Sequence, residues 1–124
     1  MSENPKACTG ASNLIFPCSG GSDVGALSDL AARQMTRDGT GKMYCLAGIG
    51  GQIPGILSTT QNATQILAID GCPMNCAKKI LERAGFTNFR HLSLSDAGFQ
   101  KGASPSTPEN VAKVVMSGSA ALVG

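Results

Sequence analysis

Five cysteines are spread over a chain of 124 residues, and two of them stand four apart in the stretch Ile69-Asp70-Gly71-Cys72-Pro73-Met74-Asn75-Cys76. A run of aliphatic residues, Ile66-Leu67-Ala68-Ile69, ends there in a turn. The sequence predicts a helix starting on Pro73, because proline at the first helical position loses no hydrogen bond. Cys72 would then precede the helix and Cys76 would sit in its first turn, on the same face. Backbone N–H groups and the positive end of the helix dipole stabilise a thiolate at such a place. A thiolate binds metal or attacks an electrophile, so the stretch reads as a metal site or a redox site. Asp70 has three readings: a partner that orients the site, a direct ligand, or an Asx-type turn with Gly71 supplying unusual backbone angles.

The elements that must carry these residues follow from apolar periodicity. Asn13 to Pro17 reads as a short strand, followed by Cys18-Ser19-Gly20-Gly21. Ser22 or Asp23 suits an N-cap, and Leu27, Leu30, Ala31 and Met35 recur at helical spacing behind it. That helix is expected to run to about Arg37 and to end at Asp38-Gly39-Thr40-Gly41. Lys42 to Ala47, containing Cys45, reads as a second strand, and Gly48-Ile49-Gly50-Gly51 as a tight turn. Residues 52–62 read as a weak helix limited by Pro54 and Gly55. Residues 65–70 form the third strand. The helix after Cys72 buries Ala77, Ile80, Leu81 and Ala84, with Gly85 as its C-terminal cap. Phe89 to Leu94 is the fourth strand, 95–106 a polar loop, and Thr107-Pro108 opens a last helix carrying Val111, Val114 and Val115. Residues 1–12 are expected to form a loose lead and 118–124 a frayed tail around one domain, 13–117.

Strands alternating with helices imply an α/β fold with a parallel sheet covered on both faces. The expected strand order is 2-1-3-4, a small flavodoxin-like or Rossmann-like sheet. In such sheets ligands bind beyond the C-terminal ends of the strands, where the order reverses. Cys18 follows strand 1, Cys45 lies near the end of strand 2, and Cys72 follows strand 3. Neighbouring strands are about 4.8 Å apart, and tetrahedral zinc holds its sulfurs about 3.8 Å from one another. Cys18, Cys45, Cys72 and Cys76 are therefore candidate ligands of one ion. Soft thiolates select zinc or an iron–sulfur cluster over magnesium or calcium. The alternative is that some of them are ordinary buried apolar residues. Cys8 has no element to anchor it and reads as an exchangeable fifth thiol or a surface residue.

Several chemistries are disfavoured. Gly20 to Gly25 lacks the Lys-Ser or Lys-Thr of a nucleotide loop, and Gly48-Ile49-Gly50 lacks the third glycine of a dinucleotide fingerprint. No arginine follows Cys18 to clamp a phosphate, although its loop can hold a small anion on backbone N–H groups. Ser19, Gly20, Gly50, Gly51 and Asn75 are the candidate residues of such an anion or substrate loop. His91, the one histidine, reads as a packed or surface residue. Net charge is +2 with no basic stripe or aromatic ladder, which argues against nucleic acid. There is no apolar run long enough for a membrane helix. The first residues lack the apolar core of a signal peptide, so a cytoplasmic location is expected, with cysteines kept as thiols or ligands.

The chain resembles the DGC-domain family of small zinc-binding proteins, named for the Asp-Gly-Cys triplet present here at 70–72. The similar segments are PCSGGSDVG at 17–25, KMYCLAGIGG at 42–51, AIDGCPMNCAKKILERAGF at 68–86 and HLSLSDAGFQKG at 91–102. The resemblance implies zinc chelation by Cys18, Cys45, Cys72 and Cys76, the same set that the strand ends give. It brings no reaction with it. The functional expectation is a zinc-binding module that stores, senses or delivers metal. The alternatives are a thiol oxidoreductase or sulfur carrier that uses Cys72, and an iron–sulfur protein.

Overall fold

The computed structural model describes residues 12–123. Four strands, β1 (Asn13–Pro17), β2 (Lys42–Met43), β3 (Gln65–Asp70) and β4 (Arg90–Ser93), form one sheet in the order β2-β1-β3-β4. All pairings are parallel, with Leu14 opposite Lys42, Phe16 opposite Ala68, and Asp70 opposite Ser93. Among the described residues five helices connect and flank the strands: α1 (Asp23–Asp38), α2 (Leu46–Gly50), α3 (Pro54–Gln61), α4 (Cys76–Arg83) and α5 (Pro108–Val123). The architecture and strand order match the sequence expectation.

The period of two along each strand divides the core between the faces of the sheet. Ile15, Leu67 and Ile69 pack with Leu27, Ala31 and Met35 of α1 and Val114 and Leu122 of α5. On the other face Leu14, Phe16, Ile66 and Ala68 pack with Ile49, Ala77 and Leu81 of the α2 and α4 helices. The central strands β1 and β3 are buried on both faces. Each fully buried Leu, Ile or Phe contributes about 1.5–3 kcal/mol of transfer free energy.

Helix α1 begins as its sequence predicts. Ser22 is the N-cap, its hydroxyl accepting from the Gly25 N–H at 3.1 Å, and Gly39 closes the helix in the left-handed conformation at φ 81°. Four elements differ from expectation. Strand β2 stops at Met43, so Cys45 lies outside it as the N-cap of α2, and the glycine-rich 48–51 segment is mostly helix rather than turn. Helix α4 starts at Cys76, not at Pro73; Pro73 and Met74 form a turn ahead of it. Helix α5 extends to Val123 with Leu122 buried against the core, in place of a frayed tail.

Candidate functional site

The ladder continues one step past the strands and carries their ends to a common edge. Cys18 donates its N–H to the Ile69 carbonyl at 2.8 Å, Tyr44 to Ile15 at 2.9 Å, and Leu94 to Asp70 at 2.8 Å. Tyr44 is held further by an edge-on contact of its ring with the buried Phe16, centroids 6.0 Å apart. Cys18, Cys45 and Cys72 thus follow the C-terminal ends of β1, β2 and β3, as the topology requires.

Cys18 is half-buried and well partnered. Its Sγ accepts from the Gly71 N–H at 3.2 Å and lies 3.2 Å from the hydroxyl of Ser28. That hydroxyl, fully buried on α1, also reaches the carbonyls of Cys18 at 2.6 Å and Gly25 at 3.0 Å. Its single hydrogen is directed to carbonyls, which leaves its oxygen free to accept from the thiol. Burial pushes the Cys18 thiol up from its ordinary value; the bonds from Ser28 and Gly71 pull it back in part, and the neighbouring Asp70 and Cys72 add to the rise. Cys18 is accordingly a thiol in the metal-free protein. In the sequence Ser28 reads as one more position of an amphipathic helix, with nothing local to mark it.

The Asp-Gly-Cys triplet divides three tasks. Asp70 is 1% exposed. Its Oδ1 accepts from the Ala77 N–H at 2.7 Å, and its Oδ2 from the Lys78 N–H at 3.0 Å. The side chain therefore satisfies two of the N–H groups that the first turn of a helix leaves open. This replaces the Asx-turn reading: Asp70 reaches across the loop to the start of α4. His91 Nε2 lies 2.9 Å from the same Oδ2. Gly71 is required by space and not by unusual angles. A Cβ on it would stand 2.7 Å from the Val24 carbonyl oxygen. Cys72 follows, half-buried, at the start of the loop.

Between Cys72 and Cys76 the chain does not continue as helix. The Asn75 N–H bonds back to the Cys72 carbonyl at 3.2 Å, and Asn75 itself is left-handed, φ 56° and ψ 50°. Asparagine tolerates that conformation better than most residues. The two cysteines are therefore not stacked on one helical face. Cys76 is the first residue of α4 and is exposed, as is Cys45 at the start of α2. The side-chain oxygen of Asn75 is buried in this loop with no hydrogen-bond partner among the described residues. An orphaned amide oxygen between two thiols is a place where a bound group would find an acceptor for a hydrogen bond.

Cys18 and Cys72 are thus neighbours at half burial, and Cys45 and Cys76 lie outside them at helix starts. Among the described residues no three His, Cys, Asp or Glu side chains are grouped closely enough to hold a metal ion. The donor set fits a soft metal in type, and its four members share one edge. Cys8 lies outside the described residues. Of the proposed anion loop, Ser19 has its hydroxyl committed to Asp29 at 2.9 Å. Gly50 ends α2, and Gly51 caps it by donating to the Ala47 carbonyl at 2.8 Å. Gly20 is exposed beside Cys18, and Asn75 belongs to the thiol loop.

A further residue shapes this edge. Asp23, in the first turn of α1, accepts from the N–H groups of Gly102 at 2.9 Å and Ser104 at 3.0 Å. It ties the long loop after β4 to the start of α1. These backbone donors hold its carboxyl below the usual carboxylate range. Two clefts lie elsewhere. One of about 190 Å³ is lined by residues including Thr60, Gln65 and Phe86, and one of about 560 Å³ by residues including Leu30, Val111 and Met116. Neither includes a cysteine.

Comparison with known proteins agrees with the triplet. The DGC domain profile matches residues 14–117. A Pseudomonas aeruginosa protein named "Anaerobic and virulence modulator AnvM" is 38% identical over 88 residues, 71% of this chain and 67% of that protein. No solved structure matches. The chain, with its Asp70-Gly71-Cys72 corner at the end of β3, belongs to the DGC-domain family.

Proposed function

We propose that the cysteine edge is a thiolate metal site for zinc, formed by Cys18, Cys45, Cys72 and Cys76, and that the protein senses, stores or delivers the ion. The observation that supports this most directly is the placement of four thiols at one sheet edge, three of them at the ends of adjacent parallel strands. Cys18 and Cys72 would be the inner pair. Cys45 and Cys76 would close the shell from the starts of α2 and α4. A bound zinc ion would supply positive charge and a tetrahedral template for thiolates.

Electrostatics supports the same reading. Asp70 and Cys72 raise the cost of a bare thiolate at Cys18. The Asp70 carboxylate favours a cation there, because the sign of its interaction reverses. A thiol with a raised proton affinity is a poor attacking group at neutral pH, which argues against Cys18 as the resolving thiol of a reaction begun at Cys72. The open arrangement of the outer pair suits an ion that enters and leaves. The relative's name, which refers to anaerobic and virulence modulation, is in keeping with a sensing role.

Metal content by plasma mass spectrometry on untagged protein tests this. About one zinc per chain is expected, lost on single Cys→Ser changes at 18, 45, 72 or 76 and kept on the change at Cys8. Metal-free protein that takes up no zinc when the ion is supplied would refute the proposal. An iron content with visible colour would transfer the site to a cluster.

A further inference from the structure

The buried carboxylate of Asp70 does not end at the α4 backbone. Its Oδ2 is shared between the Lys78 N–H at 3.0 Å and His91 Nε2 at 2.9 Å. A carboxylate only accepts, so the hydrogen in the second contact is on Nε2. His91 lies on β4 opposite Ala68, two residues before Asp70 on β3. The period of two places His91 and Asp70 on the same face of the sheet, the face that α4 covers. The His91 side chain is 20% exposed, whereas Asp70 is 1% exposed. A chain of contacts therefore runs from the rim of the sheet to a fixed carboxylate and on to the residues that follow Cys76.

We infer that His91 is a positioning residue for the thiol site. Through Asp70 it fixes the first turn of α4, and so sets where Cys76 stands relative to Cys72. Asp70 has two rotatable bonds between its backbone and its carboxylate. Its two contacts to α4 come from consecutive N–H groups of one turn. Those contacts alone leave the carboxylate free to travel with that turn. The third contact comes from the neighbouring strand β4 and adds a second tie to the sheet beside the attachment of Asp70 through β3. The loop between Cys72 and Cys76 needs such a tie, because its N-cap residue Asn75 makes no side-chain cap bond of its own. Partners that orient metal ligands through hydrogen bonds tune affinity without touching the ion. This inference rests on the metal reading above.

The test is cobalt binding to the 124-residue chain, read by thiolate-to-cobalt charge-transfer absorption, in the wild type, His91→Leu and His91→Gln. Leucine keeps bulk and removes the donor; glutamine places an N–H near the position of Nε2. Cobalt affinity is expected to fall about 10- to 100-fold in His91→Leu, with an altered absorption band, and to recover in His91→Gln. Hydrogen exchange at Ala77 and Lys78, measured without metal, should accelerate in His91→Leu and return in His91→Gln. If exchange is unchanged in His91→Leu, the tie does not hold α4 and the inference is overturned. If exchange accelerates while cobalt affinity and band stay at wild-type values, His91 is only structural and the inference is likewise overturned. Wild-type protein that binds no cobalt refutes the metal reading itself, and the inference with it. A normal wild type beside an unaffected variant refutes the inference alone.

Discussion

Gly71 passes so close to Val24 that a Cβ built on it would meet the Val24 carbonyl oxygen at 2.7 Å and the Val24 Cβ at 2.8 Å. The obstacle is chiefly backbone, in the first turn of α1, so it does not move aside as a side chain would. The same glycine donates its N–H to Cys18 Sγ. Gly71→Ala is therefore expected to destabilise the protein by about 1–3 kcal/mol, the usual cost of overpacking. It should also separate Cys18 from the Cys72 loop. Chemical denaturation checks the first effect and the alkylation rate of Cys18 the second. A variant as stable as wild type would show that α1 shifts freely, contrary to the packing described.

The four cysteines differ in exposure, which orders their reactivity in metal-free protein. Cys45 and Cys76 are exposed; Cys18 is half-buried, bonded to Gly71 and Ser28, and raised in proton affinity by burial. Iodoacetamide at neutral pH is expected to label Cys45 and Cys76 well before Cys18. The Cys18 rate should keep climbing with pH beyond the range of an ordinary thiol, because only the thiolate reacts. Peptide mapping against time gives the order. Labelling of Cys18 first would contradict the environment described for it.

Much of the fold is legible in the sequence because its signals are local and strong. The apolar runs of β1 and β3 are buried on both faces, and helix α1 carries a serine cap and a terminal glycine where the pattern asks for them. The strand order follows from connectivity, and with it the placement of Cys18, Cys45 and Cys72 at one edge. What the sequence misplaces depends on contacts between distant segments. Lys42 to Ala47 has strand character, but pairing with β1 extends only to Met43 and the chain turns at Cys45 into α2. Pro73 suits a helix start, yet the turn at 73–74 and left-handed Asn75 delay α4 to Cys76. Ser28, His91 and the Asp23 tie to the 95–106 loop have no local signature at all. His91 was within reach of a register argument, since it shares a sheet face with Asp70, but the register is known only once β3 and β4 are paired.

Asp23 gives a pH dependence with a definite sign. Its folded-state value is lowered, from an ordinary 3.8, by N–H donors from Gly102, Ser104 and Val24. A lowered folded value contributes stability that is fully present above the unfolded value and is lost as pH falls through the folded one. From neutrality down to about pH 5 this group should therefore cause no change. Below 3.8 the loop after β4 should loosen progressively. Asp23→Ala should remove the effect, so the stability gap between wild type and variant narrows as acid is added. Thermal melts at a series of pH values measure that gap; a gap that widened in acid would reverse the assignment.

Metal removal separates an ion that holds the fold from an ion that is carried. Among the described residues eighteen buried hydrophobic ones fill the core, and helices cover both faces of the sheet. Cys45 and Cys76, half of the proposed donor set, are exposed and add little to that core. A chain of this size buries enough apolar surface to fold without a metal clip. Chelator-treated protein is therefore expected to keep its helical circular dichroism spectrum. Added zinc should then raise the melting temperature with concentration, by about 2.7 kcal/mol of stability at a hundred times the dissociation constant. The rise should shrink in Cys72→Ser, which removes an inner ligand. A random-coil spectrum after chelation would make the ion structural and end the storage and delivery reading. A melting temperature indifferent to zinc would show that the four thiols do not gather around it, and their exposed members would then be read as redox thiols.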